Sequence, residues 1–218
     1  VGSNPTLSAV GCEIIDLFGG QKDLKDKIIR TVGESKERFN EDALRLIRAV
    51  RLAIEIDFTI EPETFKAIKE NSHLIKVIAK ERIKDELIKI IASTKAEEGI
   101  LLLQKTGLLK YIIPELELGV GVSQNRSHIY TVFQHLVFSL KYAAKENFNL
   151  EVRLAALFHD IAKPHTKRGQ GPDSTFYSHD VLSAKIAIKI LNNLKFPKKI
   201  TEKTALLVKN HMFISDPD

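Results

Sequence analysis

From residue 40 onward the apolar positions of this chain recur with a helical period. Asn40 reads as an N-cap, with Glu41 and Asp42 in the first turn, the charge sign that the helix macrodipole favours. The apolar stripe behind them is Leu44, Ile47, Val50 and Ile54, flanked by Leu52. Pro62 and Glu63 open the next helix, after an extended Ile60. The same periodicity predicts helices at 80–93, 95–105, 130–146, 150–161, 180–194 and 199–211, with loops at 114–128 and 163–177. Before residue 40 the pattern changes. Glu13 to Phe18 reads as a short strand ended by Gly19-Gly20, and Lys22 to Val32 as a second extended segment able to pair with it. Residues 1–12 are small and turn-rich, a junction or disordered segment. The expected fold class is all-α with a small β remnant near the N-terminus.

Composition narrows the class without naming an activity. The 218 residues are 44% hydrophobic and 28% charged, enough for a globular core. A net charge of +5 is compatible with a polyanionic partner but weak evidence for one. Cys12 is the only cysteine, so no internal disulfide and no disulfide partner is expected. No apolar run is long enough to span a bilayer and no signal peptide is evident, so the expected setting is cytoplasmic, with no membrane partner. The chain starts at Val1 and its only methionine is Met212, which predicts a piece of a longer protein.

Two sets of residues carry chemistry. Asp42 and Arg45 stand three apart, with Arg48 and Arg51 continuing the spacing. A carboxylate only accepts hydrogen bonds and a guanidinium only donates them, so the two side by side can match the Watson–Crick edge of cytosine or adenine. By spacing alone, such pairs are more often ordinary surface ion pairs. The second set is histidine-rich. His128, His135, His159, His165, His179 and His211 are six of the seven histidines. His159-Asp160 ends an apolar helical run and can converge on a divalent ion with His135 from the preceding helix. Imidazole with carboxylate suits Mn, Fe, Ni, Co or Mg rather than a thiolate zinc site. Any one histidine is more often a surface or core residue than a ligand.

The ordered motifs say more than the spacings. Ile15-Asp16-Leu17-Phe18-Gly19-Gly20, with Asp23-Leu24 and Ile29-Arg30, resembles the hinge motif of class II tRNA nucleotidyltransferases and bacterial poly(A) polymerases. Arg38 to Arg51 looks like their nucleotide-templating motif, and Glu81-Arg82-Ile83 with Glu86-Leu87 like the neck motif that braces it. Gln134-His135, Leu157 to Pro164, Phe176 to Asp180 and Asn210-His211-Met212 resemble the HD phosphohydrolase domain fused to such enzymes, approached by Gln124-Asn125 and His128.

The resemblance implies a hinge remnant of a head domain at 13–35, a helical nucleotide-selecting and RNA-binding neck at 36–118, and an HD domain at 119–218, truncated at its C-terminus. It implies that Asp42 and Arg45 select an incoming CTP or ATP for addition to a tRNA or other RNA 3′ end, while Arg48 and Arg51 orient them or contact phosphates. It makes His135, His159 and Asp160 metal ligands, with His159 and Asp160 as the catalytic pair. His179 and His211 become second-metal or phosphate contacts, and Lys163 a phosphate contact. The expected HD cofactor is Mn, Ni, Co or Mg, and the expected chemistry is hydrolysis of a cyclic phosphate, 2′-nucleotide or phosphomonoester, since a divalent ion activates water and screens phosphate charge. The last HD ligand is Asp216 by order alone.

Two departures bear on this. The family's Mg-binding Asp-x-Asp does not precede residue 13, and Asp216-Pro217-Asp218 is the only such pair, so the chain alone is not expected to polymerise. Ser178-His179-Asp180 stands where the family often has Gly-His-Glu. Basic segments Lys163–Arg168 and Lys195–Lys203 could bind RNA phosphates, although Lys198, Lys199 and Lys203 fit a solvated face better. The alternatives are an independent HD-type phosphohydrolase and a non-catalytic RNA-binding scaffold.

Overall fold

A computed structural model describes residues 15–125 and 129–212. The expectations for residues 1–12, His128 and Asp216 fall outside them. No helix among the described residues is long and apolar enough to cross a membrane.

The N-terminal part differs from the sequence reading. Residues 15–18 form no strand, because the Asp16 carboxylate accepts hydrogen bonds from the Gly20 and Gln21 N–H groups at 2.7 and 2.8 Å and starts a helix, α1 (Gly20–Asp26). Gly19 enters it with φ 74°, a left-handed conformation that glycine adopts without strain. Arg30 returns to pair with Asp23 at 2.6 Å and with the Phe18 carbonyl at 3.0 Å, so the hinge-motif residues hold one another. Only β1 (Ile28–Ile29) is extended, and its partner is β2 (Thr59–Ile60), in parallel register Ile28 to Thr59. The expected extension at Ile60 is present.

Asn40 is not an N-cap. It lies inside α2 (Ser35–Glu41), and a new helix, α3 (Leu44–Glu55), begins after a break. Asp42 at the break is extended, φ −148°, and its carboxylate accepts from the Leu44 N–H at 3.0 Å. The local hydrogen-bonding capacity of aspartate thus starts the helix three residues later than the charge pattern suggested. The apolar stripe is as expected, with Leu44, Ile47 and Val50 buried.

Further helices follow closely. They are α4 (Pro62–Asn71), a 3-10 turn Ser72–Val77, α5 (Lys80–Ala92), α6 (Ala96–Lys105), α7 (Leu109–Ile112) and α8 (Pro114–Glu117), the last inside an expected loop. Then come α9 (Val132–Lys145), α10 (Leu150–Phe158), α11 (Lys163–Thr166), α12 (His179–Asn193) and α13 (Lys198–Lys209). Thr131 and Gln134 form a reciprocal capping box at the start of α9, and the Asn149 side chain caps α10.

One hydrophobic core runs through the described residues, from Phe39 to Val208. α3 packs on α5 and α6, α9 on α6 and α10, and α13 on α10 and α12. Gly99 lets α6 approach α5, since a Cβ there would stand 2.4 Å from Ile90 Cγ2. Arg153 is the one arginine in the core among the described residues, 3% exposed. It donates to the carbonyls of Ile91, Ala92 and Ser93 at the end of α5, and to that of Phe148 before α10. A buried guanidinium thus satisfies carbonyls that the end of α5 leaves open.

Candidate functional site

Four helix termini converge on Asp160. His135 lies in the first turns of α9, His159 caps the end of α10, His179 starts α12 and His211 follows α13. The Asp160 carboxylate is 2% exposed. Its Oδ2 stands 3.2 Å from His135 Nε2, 3.3 Å from His159 Nε2 and 2.7 Å from Lys163 Nζ. Its Oδ1 stands 3.1 Å from His179 Nε2 and 3.5 Å from His211 Nε2. His135 and His159 bring their Nε2 atoms within 2.9 Å.

The far side of three rings explains the orientation. His159 Nδ1 meets the Ala156 carbonyl at 3.0 Å, His179 Nδ1 that of Phe176 at 2.6 Å, and His211 Nδ1 that of Val208 at 2.7 Å. A carbonyl only accepts, so each Nδ1 carries a proton, and in the neutral ring each Nε2 presents a lone pair towards Asp160. Lone pairs facing a carboxylate repel unless a proton or a metal cation stands between them. Asp160 Oδ1, His179 Nε2 and His211 Nε2 are buried and make no hydrogen bond, which costs free energy that a cation ligated there would offset. Among the described residues two groups have metal-ligand spacing, His135-His159-Asp160 and Asp160-His179-His211, and Asp160 is common to both. The donor set fits a divalent ion.

Burial pushes the Asp160 carboxyl up, but the four imidazoles around it outweigh this and hold it well below the usual carboxylate range. Burial pushes the His211 imidazole down, and Asp160 with the Val208 carbonyl outweighs that and raises it. The residues border a cavity of about 610 Å³, with Tyr177 and Met212 exposed at its edge. Lys163 borders the cavity, but its ammonium is engaged by Asp160 and by Gln124 Oε1 at 2.7 Å rather than free for a phosphate. Gln124 also donates to the Tyr130 carbonyl at 3.1 Å, so it fixes the lysine. Asn125, half-buried beside it with a buried and unpartnered Oδ1, lines the same cavity.

The other predicted set is arranged differently. Asp42 and Arg45 are not paired, because the break after α2 puts Asp42 outside the helix that carries Arg45. Asp42 pairs with Arg82 of α5 at 2.9 Å, in a cleft of about 390 Å³ also lined by Leu74 and Val77. Burial pushes the Asp42 carboxyl up, yet the Leu44 N–H and the Arg82 guanidinium outweigh it and hold it below the usual range. Arg45 pairs with Glu41 at 2.6 Å and lines a separate cavity of about 520 Å³ with Arg48 and Phe18. Arg48 and Arg51 share Glu86, which is 4% exposed, and Arg51 also pairs with Glu55. Two residues of α5, Arg82 and Glu86, therefore hold the α2–α3 junction and the arginine face of α3.

Comparison with known proteins agrees with this division. Residues 57–118 match the family described as "Probable RNA and SrmB- binding site of polymerase A", and residues 128–218 match the HD domain. The chain is 37% identical over 212 residues to the A-adding tRNA nucleotidyltransferase of Deinococcus radiodurans, and 36% identical over 212 residues to the CC-adding enzyme of Thermus thermophilus. Each match covers 93% of this chain and 48% of the relative, so the chain spans about half the length of these curated relatives. A Bacillus stearothermophilus CCA-adding enzyme in complex with CTP superposes with a TM-score of 0.59 at 27% identity, over 91% of this chain and 41% of that one. The chain therefore carries a segment matching this RNA-binding model and a segment matching the HD domain, and over 93% of its length it is similar to about half of a tRNA nucleotidyltransferase.

Proposed function

We propose that this chain is the nucleotide-selecting, RNA-binding and HD portion of a cytoplasmic tRNA nucleotidyltransferase that adds CTP, ATP or both to RNA 3′ ends. The observation that carries the reading is the brace from α5, whose Arg82 and Glu86 fix Asp42 and the Arg48–Arg51 face. Asp42 and Arg45 are the selecting pair, released from Arg82 and Glu41 when a base enters, and Mg serves polymerisation by the whole protein. The proposed boundaries are a hinge remnant at 13–35, a neck at 36–118 and an HD domain from 119. Titration of the chain with each nucleoside triphosphate tests this. CTP and ATP should bind more tightly than UTP and GTP, and Asp42→Ala should erase the difference. Equal binding of all four would count against it.

The HD cluster supports a second activity, phosphoester hydrolysis, with His135, His159 and Asp160 as first ligands and His179 and His211 completing the set. Four imidazoles with one carboxylate favour Mn, Ni or Co over Mg, which prefers oxygen donors. A bound divalent ion would supply Lewis-acid stabilisation of phosphoryl oxygens and activation of water. Asp160 stays ionised near neutrality and carries the charge that holds the ion. Lys163 offsets part of that charge, and Tyr177 and Met212 offer apolar surface to a nucleoside. Hydrolysis joins the water oxygen to phosphorus and breaks the bond to the ribose oxygen, which receives a proton. Release of phosphate or ring-opened product from 2′,3′-cyclic nucleotides, 2′-nucleotides or phosphomonoesters, dependent on added Mn, Ni or Co and lost in His159→Ala, tests it.

A further inference from the structure

The 3-10 turn Ser72–Val77 faces two ways. Val77, 80% exposed, lines the cleft that holds Asp42 and Arg82. The preceding residue, Lys76, places its ammonium 4.7 Å from the centre of the Tyr111 ring, and Lys110 of α7 places its own 4.9 Å from the same centre. The two charges therefore stand no more than about 10 Å apart, held by attraction to the ring quadrupole. Both lysines are exposed, and among the described residues neither makes an ion pair. Glu117, the carboxylate that senses Lys110, makes no ion pair with it either. Arg82, Lys84 and Lys95 have acidic partners, whereas Lys80, Lys89 and Lys105 make no ion pair among the described residues, so what sets Lys76 and Lys110 apart is the ring they share.

Two like charges gathered at one ring, within about 10 Å of each other and without an ion-pair partner, suit a polyanion with closely spaced charges. A Tyr111 ring engaged by two ammoniums acts as a fixture for them, not as a stacking platform for a base. Resting on the reading that Asp42 selects the incoming nucleotide, we propose that Lys76 and Lys110, organised by Tyr111, bind successive backbone phosphates of the RNA strand whose 3′ end is held past Val77, beside the Asp42–Arg82 cleft that takes the incoming nucleotide. RNA fits better than an acidic protein surface because the neighbouring cleft pairs a carboxylate with a guanidinium beside exposed apolar side chains, the complement of a base edge and face rather than of more negative charge.

A fluorescent RNA hairpin with a single-stranded 3′ end, titrated with the chain by anisotropy across a KCl series, tests this. Each phosphate contact contributes about 0.7–0.9 to the slope of log affinity against log salt. The Lys76→Gln/Lys110→Gln variant should bind roughly 10–50-fold more weakly near 0.1 M KCl, with a slope shallower by about 1.5. Lys198→Gln/Lys199→Gln, with the same change of charge on α13, should bind like the unaltered chain. Tyr111→Leu should weaken binding less than the double lysine variant, since the charges remain but lose their fixture. Binding by the double variant with unchanged affinity and slope would overturn the proposal while leaving the wider reading intact. Equal loss in the α13 variant would also overturn it, by showing that only net charge matters. Failure of the unaltered chain to bind the hairpin at all would overturn both.

Discussion

The Arg153 guanidinium, buried on α10, donates a 2.8 Å hydrogen bond to the Ala92 carbonyl at the end of α5. α5 is the helix whose other end holds Asp42 through Arg82, and α10 is the helix that ends at His159. Removing the guanidinium leaves several buried carbonyls without a donor, at about 1–3 kcal/mol for each uncompensated group before relaxation and water entry reduce the sum. Arg153→Ala is expected to cost about 3–5 kcal/mol in urea unfolding. Arg153→Lys should recover only part, because an ammonium cannot span the three carbonyls of residues 91–93. A loss below about 1 kcal/mol for the alanine variant would show that water replaces the arginine.

Glu86 presents the opposite problem, a buried carboxylate whose two partners are arginines. Arg48 is well exposed and its pairing is screened, whereas Arg51 is mostly buried and depends more on Glu86. Glu86→Gln keeps the shape and removes the charge, and is expected to destabilise by about 1–3 kcal/mol. Arg48→Gln should cost much less. Nucleotide titration of Glu86→Gln should show weaker CTP and ATP binding, since the arginine face of α3 loses its anchor. Unchanged stability and unchanged binding together would remove Glu86 from the brace.

Much of this was legible in the sequence. The longer helices from Pro62 onward follow from apolar periodicity, whereas the short α8 and α11 lie where loops were expected, and the His135, His159, Asp160, His179 and His211 cluster follows from ordered motifs. What the sequence hid was decided by single polar contacts. The Asp16 carboxylate capping α1 turned an expected strand into a helix, and Asp42 accepting from Leu44 moved the start of α3 and separated Asp42 from Arg45. Periodicity cannot see such contacts, because they depend on which of two backbone groups a short carboxylate reaches. Arg153 left one sign, a lone charge on the apolar side of an otherwise hydrophobic helix. Gln124 left a motif match without a role, which its hydrogen bond to Lys163 supplies.

Gly99 is a close-packing glycine inside a helix. Helix propensity alone would favour Gly99→Ala by about 1 kcal/mol. The new methyl would meet Ile90, a fully buried and stiff β-branched side chain, at 2.4 Å. Overpacking of this kind costs about 1–3 kcal/mol, so the substitution should be net destabilising, with a lower thermal midpoint. A midpoint raised by the alanine would mean that α6 moves away from α5 at little cost.

Ser178 holds φ 60° immediately before His179, a conformation that costs a non-glycine residue free energy. Its side chain is exposed and makes no capping hydrogen bond to α12. Ser178→Gly should therefore be neutral to stabilising by up to about 1 kcal/mol, the relief of strain being partly offset by the greater freedom of glycine in the unfolded chain. Metal affinity should be retained, because the Phe176 carbonyl and not the Ser178 side chain orients His179. Loss of metal binding in the glycine variant would make the strained serine part of the site.

The metal centre should be sensitive to protons in a definite direction. Ligation needs neutral imidazoles, and the rings of His159, His179 and His211 are already set with Nδ1 protonated and Nε2 towards Asp160. As pH falls, protonation of Nε2 turns each ring from ligand into cation. His211, raised above the ordinary histidine value by Asp160, takes up its proton at higher pH than a free imidazole and so competes with the ion before the usual range is reached. Asp160, held low by the same neighbours, stays ionised throughout and adds no pH dependence near neutrality. Calorimetric titration with Mn or Ni should therefore give an affinity that falls at least about tenfold between about pH 8 and about pH 6, with protons released on binding. His159→Ala should bind weakly at both values. An affinity that stays constant across that interval in the unaltered chain would place the ion on ligands other than these histidines.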